Sequence, residues 1–532
     1  MRRYIFLLIA IALLLAQTLP TIISGRFTFA FDMGRDLVWV RNMVELKKPT
    51  LIGPWGSIAG VYFGPFWYYL LAIPYMIFNG DARAAAAVPL AVNLLAVIVG
   101  WLFLRRHKHP VAADIFALLY SVSPLIVSLS SFAFHANLLP LVTLLFLIGL
   151  YKGSTLPSAR LNLFGFPLVA LSTSLAYHLE PAAGVMLTLF LGTWLIWQLW
   201  KVRHNLFQCF ETSKLIAISA ILFIVPFIPQ LIFEFRHNFI QTNSLISYFR
   251  GENPSLGGVL PLNQRLTERI FKISDTVSYA LLSNEVNLTK LVFTAIFLTA
   301  CLTMGFFDRQ RRDRNDASVH YSRFTIYFLL FHYLGYTFLF PAELKNWYLS
   351  GFSSLFILSI SLIIEKIFTF RKLIAISTVA AFMFWNTNGF SKLIPKNNPP
   401  TAPETLTAQL EVVDWIYQNG LKTQEPFSVY TYTPPIYDYT YQYLIWWRGT
   451  KKYGKLPAEF SYLPDETSYL PEKEKFVSTD WKPQDGKTVY LIIEPDNLES
   501  RQRGWLGHFA STTIINQTEF PSELVVEKRY KL

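Results

Sequence analysis

"AAAAVPLAVNLLAVIVGWLFLRRHKHPVAADIFALLYSVSPLIVSLSS" (residues 84–131) contains the pattern that organises the whole chain. Two apolar runs, 84–104 and 111–131, flank the basic pentapeptide "RRHKH" at 105–109. A run of about 20 apolar residues is long enough to cross the hydrocarbon core of a bilayer as a helix. A short basic turn between two such runs reads as a cytoplasmic loop, because Lys and Arg are retained on that side.

The same pattern extends in both directions. Further apolar runs lie at 4–23, 138–151, 163–178, 181–200, 215–233, 287–307, 322–340, 347–369 and 373–389. With the N-terminus inside, the cytoplasmic loops are "RRHKH", Lys152 to Arg160, "WKVRHN" through Lys214, "DRQRRDR" at 308–314 and "FRK" at 370–372, all basic. The short opposite loops, "FAFHAN" at 132–137 and "YHLEP" at 177–181, carry no Lys or Arg. The alternation gives about 11 transmembrane helices and places 390–532 outside. The run at 4–23 follows Met-Arg-Arg without a small-x-small cleavage site, so it reads as a retained first span. "GPFWYYLLAIPYMIFNG" (64–80) is short, aromatic and interrupted by Pro74. Counting it as a span would invert every later loop, so it reads as an interfacial or reentrant helix on the outer face.

Composition agrees. The chain has 532 residues, 52% hydrophobic and 15% charged, against about 25% charged in a soluble domain. Its net charge of +12 falls largely in the basic loops and does not point to nucleic acid. Cys209 and Cys301 lack metal-ligand spacing and read as ordinary membrane-segment residues. The expected fold is an all-α polytopic membrane domain over 1–390, with a first outer loop and interfacial helices at 24–83. "PKNNPPTAP" marks a linker at 391–403. A small extracytoplasmic α/β domain at 404–532 follows, built from an amphipathic helix (about 404–419), strand "FSVYTY", a Tyr-rich helix, and strands "TVYLIIE", "STTIIN" and "ELVVEKRY". That tail holds no phosphate loop, metal cluster or nucleophile motif, and no cofactor is expected.

The candidate chemistry lies at the outer ends of the spans. In "DMGRDLVWVRNMVEL", Asp32, Arg35 and Asp36 share one helix face by their three- and four-residue spacing. A bland alternative is an N-terminal cap by Asp32 with a surface ion pair. The other outer ends carry His135 with Asn137, His178 with Glu180, Glu234 with Arg236 and His237, and Glu343 with Lys345 and Asn346. Polar groups at such positions are costly and mark function. A carboxylate there serves as a general base, and Arg or Lys binds phosphate.

These residues resemble the C-type membrane glycosyltransferases, in the family 39 branch that holds protein O-mannosyltransferases and bacterial lipid A aminoarabinose transferases. The resemblance rests on Asp32-x-x-Arg35 in the first outer loop and "GPFWYYLLAIPY" (64–75), similar to the family's Pro-Leu-Tyr-Tyr segment. It also rests on "DARAAAAVPLAVNLLAVIVGWLFLRR" and "PQLIFEFRHNFIQT" (229–242). It covers residues 1 to about 250 well and becomes general beyond. It implies a polyprenyl-phosphate sugar donor and inverting transfer to an acceptor hydroxyl, with Asp32 as base and Asp36 as a second carboxylate. Arg236, His237 and Lys345 would hold the phosphate; Arg35, Tyr68, Tyr69, His135, Asn137, His178, Glu180 and Glu234 would line the substrate site. Two departures matter. The family's Asp-Glu pair is Asp32-Met33 here, and Asn137 stands where many relatives carry an acid. With Asn137, no metal is expected, and the leaving phosphate is stabilised by Arg and Lys. The expected partners are a polyprenyl-phosphate-linked sugar, a lipid, glycan or protein acceptor, and membrane lipids; the expected location is the plasma membrane. The competing readings are a transporter or flippase of lipid-linked sugar and a non-catalytic scaffold displaying the tail. Against the first, the polar residues sit at span ends rather than mid-membrane.

Overall fold

The computed structural model describes residues 2–154, 165–202, 212–252, 258–282, 287–310, 317–387, 402–434, 437–476 and 487–531. In chain order the first helices are α1 (Ile5–Ser24), α2 (Phe31–Glu45), α3 (Phe66–Ile77), α4 (Ala82–Arg106), α5 (Pro110–Val122), α6 (Pro124–Leu129) and α7 (Leu139–Ser154). Then come α8 (Phe166–Leu179), α9 (Pro181–Val202), α10 (Thr212–Ile224), α11 (Ile228–Arg236), α12 (Ile240–Phe249) and α13 (Leu262–Leu281). α14 (Asn287–Gln310), α15 (Ala317–Leu339), α16 (Phe352–Phe370) and α17 (Lys372–Asn386) complete the apolar part. The tail adds α18 (Leu406–Gly420), β1 (Phe427–Tyr432), α19 (Tyr439–Arg448), β2 (Glu459–Ser461), β3 (Thr488–Ile493), α20 (Glu499–Gly507), β4 (Thr512–Glu519) and β5 (Val525–Lys531).

Within the described residues, each apolar run of the sequence is helical. Among the described residues, five helical stretches are long and apolar enough to cross a membrane: Ile5–Ser24, Ala82–Arg106, His135–Lys152, Lys214–Arg236 and Phe352–Phe370. Shorter apolar helices accompany them, and the chain is a multi-pass membrane protein. The run at 111–131 is not one helix. Pro124 cannot donate its backbone N–H, and Ser123 leaves the helical region to cap α6, its hydroxyl accepting from the Ile126 amide. α3 has 12 residues; at 1.5 Å per residue it is roughly 18 Å long, short of a bilayer. The amphipathic α13 was not foreseen. Arg269 on it is fully buried, and its guanidinium donates to the backbone carbonyls of Tyr336, Phe340 and Ala342. Cys301 is buried in α14 without a disulfide, whereas Cys209, the loop core at 155–160, the basic residues 203–210 and 311–314, and linker residues 391–401 lie outside the described residues.

Contacts group the chain into two compact units. The first comprises 1–18, 50–67 and 88–394; the second comprises 19–49, 68–87 and 395–532. The first-loop helix α2 and most of α3 thus group with the tail.

Within the first unit, α16 packs on α5, α7 and α13, while α8 packs on α7, α9 and α10. Within the second, the sheet order is β2-β1-β3-β5-β4. β1, β2 and β3 are parallel, with Ser428 opposite Glu459 and Val489; β5 runs antiparallel to β3 and to β4. Every residue of β1 and β3 is buried, as expected of parallel strands covered on both faces. The segment leading into α2 is tied to the start of α18. Phe29 donates its amide to the Glu404 carbonyl at 2.8 Å, and the Leu406 amide donates to Phe27 at 3.2 Å.

Candidate active site

In the second unit, α2 begins at Phe31 with Ala30 at its N-cap position, so Asp32 lies in the first turn and does not cap the helix. The Arg35 Nη1 donates to Asp32 Oδ1 at 2.8 Å. Its Nε and Nη2 donate to Asp36 Oδ1 at 2.9 and 2.8 Å. Arg35 and Asp36 are almost fully buried, while the Asp32 side chain is 47% exposed. Three neighbours on one helix therefore have different stations. Asp36 and Arg35 are a desolvated, charge-assisted pair, and Asp32 is the carboxylate that solvent reaches. Burial opposes the charge on Arg35, but the fields of Asp36, Tyr68 and Asp32 outweigh it and hold the guanidinium above its ordinary value. Tyr68 is buried beside this pair, and burial followed by the Asp36 charge pushes its hydroxyl well above the phenol range. It remains a neutral donor at any physiological pH. Tyr69 is 41% exposed, whereas Tyr68 stacks against Trp39 at 6.2 Å.

The position of α2 is set by α19, which runs beside it in the same direction. Gly34 approaches Thr440, the Arg41 guanidinium lies over Trp446 at 4.9 Å, and the Lys451 ammonium, just beyond α19, reaches Glu45 at 3.6 Å. Arg41, fully buried, also donates to the Pro471 carbonyl at 2.6 Å. The turn after α3 is held by Tyr443 Oη on the Gly80 carbonyl at 2.6 Å and by Trp447 Nε1 on the Asn79 carbonyl at 2.9 Å. Each such bond contributes about 1 kcal/mol net. The signal for these anchors was present in the Tyr- and Trp-rich segment 429–449, but nothing local showed what it would touch.

In the first unit, the expected residues separate into two groups. His135, Asn137, His178 and Glu180 are buried. The His135 ring donates Nδ1–H to the Leu179 carbonyl, and Asn137 Nδ2 donates to Phe132 at 3.0 Å. Both ring nitrogens of His178 and one carboxylate oxygen of Glu180 have no hydrogen-bond partner among the described residues. Glu180 lies in the turn between α8 and α9, where burial pushes its carboxyl up to about 8. Tyr336 and Tyr348 line a small cavity with His332, Thr143 and Gly351. His332 and Tyr336 were missed, although their four-residue spacing inside the run 322–340 marks them as one polar face.

The second group is solvent-facing or engaged locally. Glu234 accepts from the Gln241 and Thr242 amides at 3.0 Å each and so caps the start of α12. That ties up the carboxylate expected to meet substrate. Arg236 and His237 are exposed, with the His237 ring stacked on Phe233 at 4.0 Å. Lys345 donates to Glu343 at 2.7 Å.

No family model matches the sequence, and no curated protein does. Among solved structures, the chain resembles ArnT from Cupriavidus metallidurans bound to undecaprenyl phosphate. The TM-score is 0.59 at 13% identity, over 98% of this chain and 97% of that one. ArnT from the same organism in the apo state gives 0.57 at 13% identity over the same shares. A match this distant in sequence and this complete in length is a likeness of fold. ArnT is a C-type glycosyltransferase, so the fold expected from Asp32-x-x-Arg35 and "GPFWYYLLAIPY" is the fold observed.

Proposed function

We propose that the chain is a membrane glycosyltransferase that moves a monosaccharide from a polyprenyl-phosphate donor to an acceptor hydroxyl at the outer face of the plasma membrane. The N-terminus is then cytoplasmic and residues 390–532 are extracytoplasmic. The observation that carries this reading is the exposed Asp32 carboxylate, oriented by an Arg35 that is itself fixed by buried Asp36. Whole-chain likeness of fold to ArnT, which binds undecaprenyl phosphate, supports the donor class.

In this reading Asp32 takes the proton of the acceptor hydroxyl. The oxygen attacks the anomeric carbon, the bond from that carbon to the lipid phosphate oxygen breaks, and the phosphate leaves with the electron pair, inverting the centre. Arg35 aims the Asp32 carboxylate, and Asp36 moves from a catalytic to a positioning role because its charge is spent on Arg35. Arg236, His237 and Lys345 serve the phosphate, and the reaction proceeds without a metal because Asn137 offers an amide where a cation needs a carboxylate. Asp32→Asn tests the assignment: transfer is abolished while folding and lipid binding persist. Undiminished transfer by that variant removes Asp32 from the mechanism. A transporter of lipid-linked sugar would instead show flux across proteoliposomes with no product formed.

A further inference from the structure

The aromatic side chains beside Asp32 are unevenly buried. Along the tyrosine-rich segment, Tyr430, Tyr432, Tyr441 and Tyr443 are inaccessible and form ordinary core, whereas Tyr437 is 49% exposed. The Tyr437 ring lies 5.3 Å from that of Phe31, and Phe31 lies 5.6 Å from Tyr439. Tyr439 stacks on Tyr469 at 3.8 Å with 14° between the planes. The row of rings thus runs through the residue preceding Asp32, and the Arg35 guanidinium lies 5.4 Å from the Phe31 ring centre. One buried carboxyl adjoins the row. Asp438, between the two tyrosines in sequence, is 1% exposed and accepts from Gln442 Nε2 at 2.9 Å through Oδ1. Its Oδ2 has no partner among the described residues, although it stands at the N-cap position of α19, where a carboxylate ordinarily bonds the helix amides.

We propose that Tyr437 and Phe31, backed by the buried Tyr439 and with the Asp438 carboxyl as hydrogen-bonding partner, form a carbohydrate subsite that takes a pyranose ring next to Asp32. The chemistry suits that ligand. Aromatic faces pack against the C–H face of a sugar, and a desolvated carboxyl exchanges a hydrogen bond with a sugar hydroxyl. An exposed tyrosine in a row of rings beside the candidate base is otherwise apolar surface left in water. The proposal deepens the glycosyltransferase reading and rests on it for the role of the ring, which comes from either the donor sugar or a glycan acceptor.

Two measurements on the full chain in nanodiscs separate the outcomes. Saturation-transfer NMR with methyl α-glucoside, methyl α-mannoside and methyl α-galactoside reads contact without turnover. Signal from at least one glycoside with the native chain, lost in Tyr437→Ala and kept in Tyr437→Trp, is expected. No signal from any of the three, or equal signal in Tyr437→Ala, overturns the subsite whether or not transfer occurs. The second measurement is transfer from polyprenyl-phosphate sugars extracted from source cells that lack the chain, into membranes of the same cells. Tyr437→Ala is expected to raise one half-saturating concentration about three- to tenfold, the range of one lost aromatic contact, with rescue by Tyr437→Trp. A rise for donor lipid assigns the ring to the donor, and a rise for membranes assigns it to the acceptor. A fall in kcat with both half-saturations unchanged overturns the subsite in favour of a packing role. Absence of transfer by the native chain, by contrast, defeats the functional reading and leaves the NMR result to decide the subsite, and wild-type transfer by Asp32→Asn removes only Asp32 from the mechanism.

Discussion

Gly34→Ala is the sharpest probe of how the tail controls the candidate base. A Cβ at this position would sit 2.6 Å from the Thr440 amide nitrogen, 2.7 Å from its Cα and 2.8 Å from its Cγ2. Ordinary contacts of this kind lie near 3.5–4.0 Å. Two of the three atoms are backbone of α19, so no rotamer change relieves the overlap. α2 must withdraw by about 1 Å, and overpacking of this kind costs roughly 1–3 kcal/mol. The displacement is carried to Arg35 and Asp32 on the same helix, and a misplacement of about 1 Å costs on the order of 100-fold in rate. Gly192→Ala supplies the control, because a Cβ there meets nothing within 4 Å. The assay compares apparent thermal midpoint and transfer rate for both variants in the same detergent. Gly34→Ala should lower the midpoint by several degrees and transfer by one to two orders of magnitude, with Gly192→Ala close to the native chain. If the two alanine variants cannot be told apart in either measurement, α19 does not position α2.

Two further expectations follow from buried charge. Asp36→Asn removes the anionic partner of the buried Arg35 guanidinium, at a cost of about 3–5 kcal/mol; a midpoint equal to that of the native chain would show that the pair is not structurally coupled. Burial pushes the carboxyls of Asp438 and Glu494 up to about 7 in the second unit. A carboxyl whose folded pKa is raised stays protonated in the fold while the unfolded chain ionises. Its contribution is therefore complete below the unfolded pKa of about 4 and is lost as pH rises towards 7. The apparent midpoint should fall over that interval, and Glu494→Gln should flatten part of the slope; a native profile independent of pH would contradict the burial argument.

Much of the fold was legible because membrane insertion is a local, composition-driven property. The runs at 84–104 and 347–369 are apolar whatever they pack against, and each is helical because an exposed backbone cannot be left unpaired in lipid. Short strand-forming runs rich in Val, Ile, Tyr and Thr likewise gave β1 and β3 in the tail. Pro124 breaks the run at 111–131 by a local effect, and the sequence already contained that signal.

The candidate site was legible in a different degree. Three- and four-residue spacing placed Asp32, Arg35 and Asp36 on one face, but spacing is blind to depth. Burial of Asp36 at 1% against 47% for Asp32 is what separates a buried ion-pair partner of Arg35 from a carboxylate open to solvent. Glu234 shows the reverse case, a carboxylate that looks available in sequence and is taken up by the amides of α12.

The sequence by itself determined that this chain is a multi-span membrane protein with a small α/β tail, because hydrophobic length and loop charge act residue by residue. Tertiary structure alone decided that the first-loop helix belongs with the tail. Gly34 against Thr440 and Arg41 over Trp446 are contacts between residues some 400 positions apart. Their energy depends on shape and desolvation at the meeting point, which neither segment encodes separately.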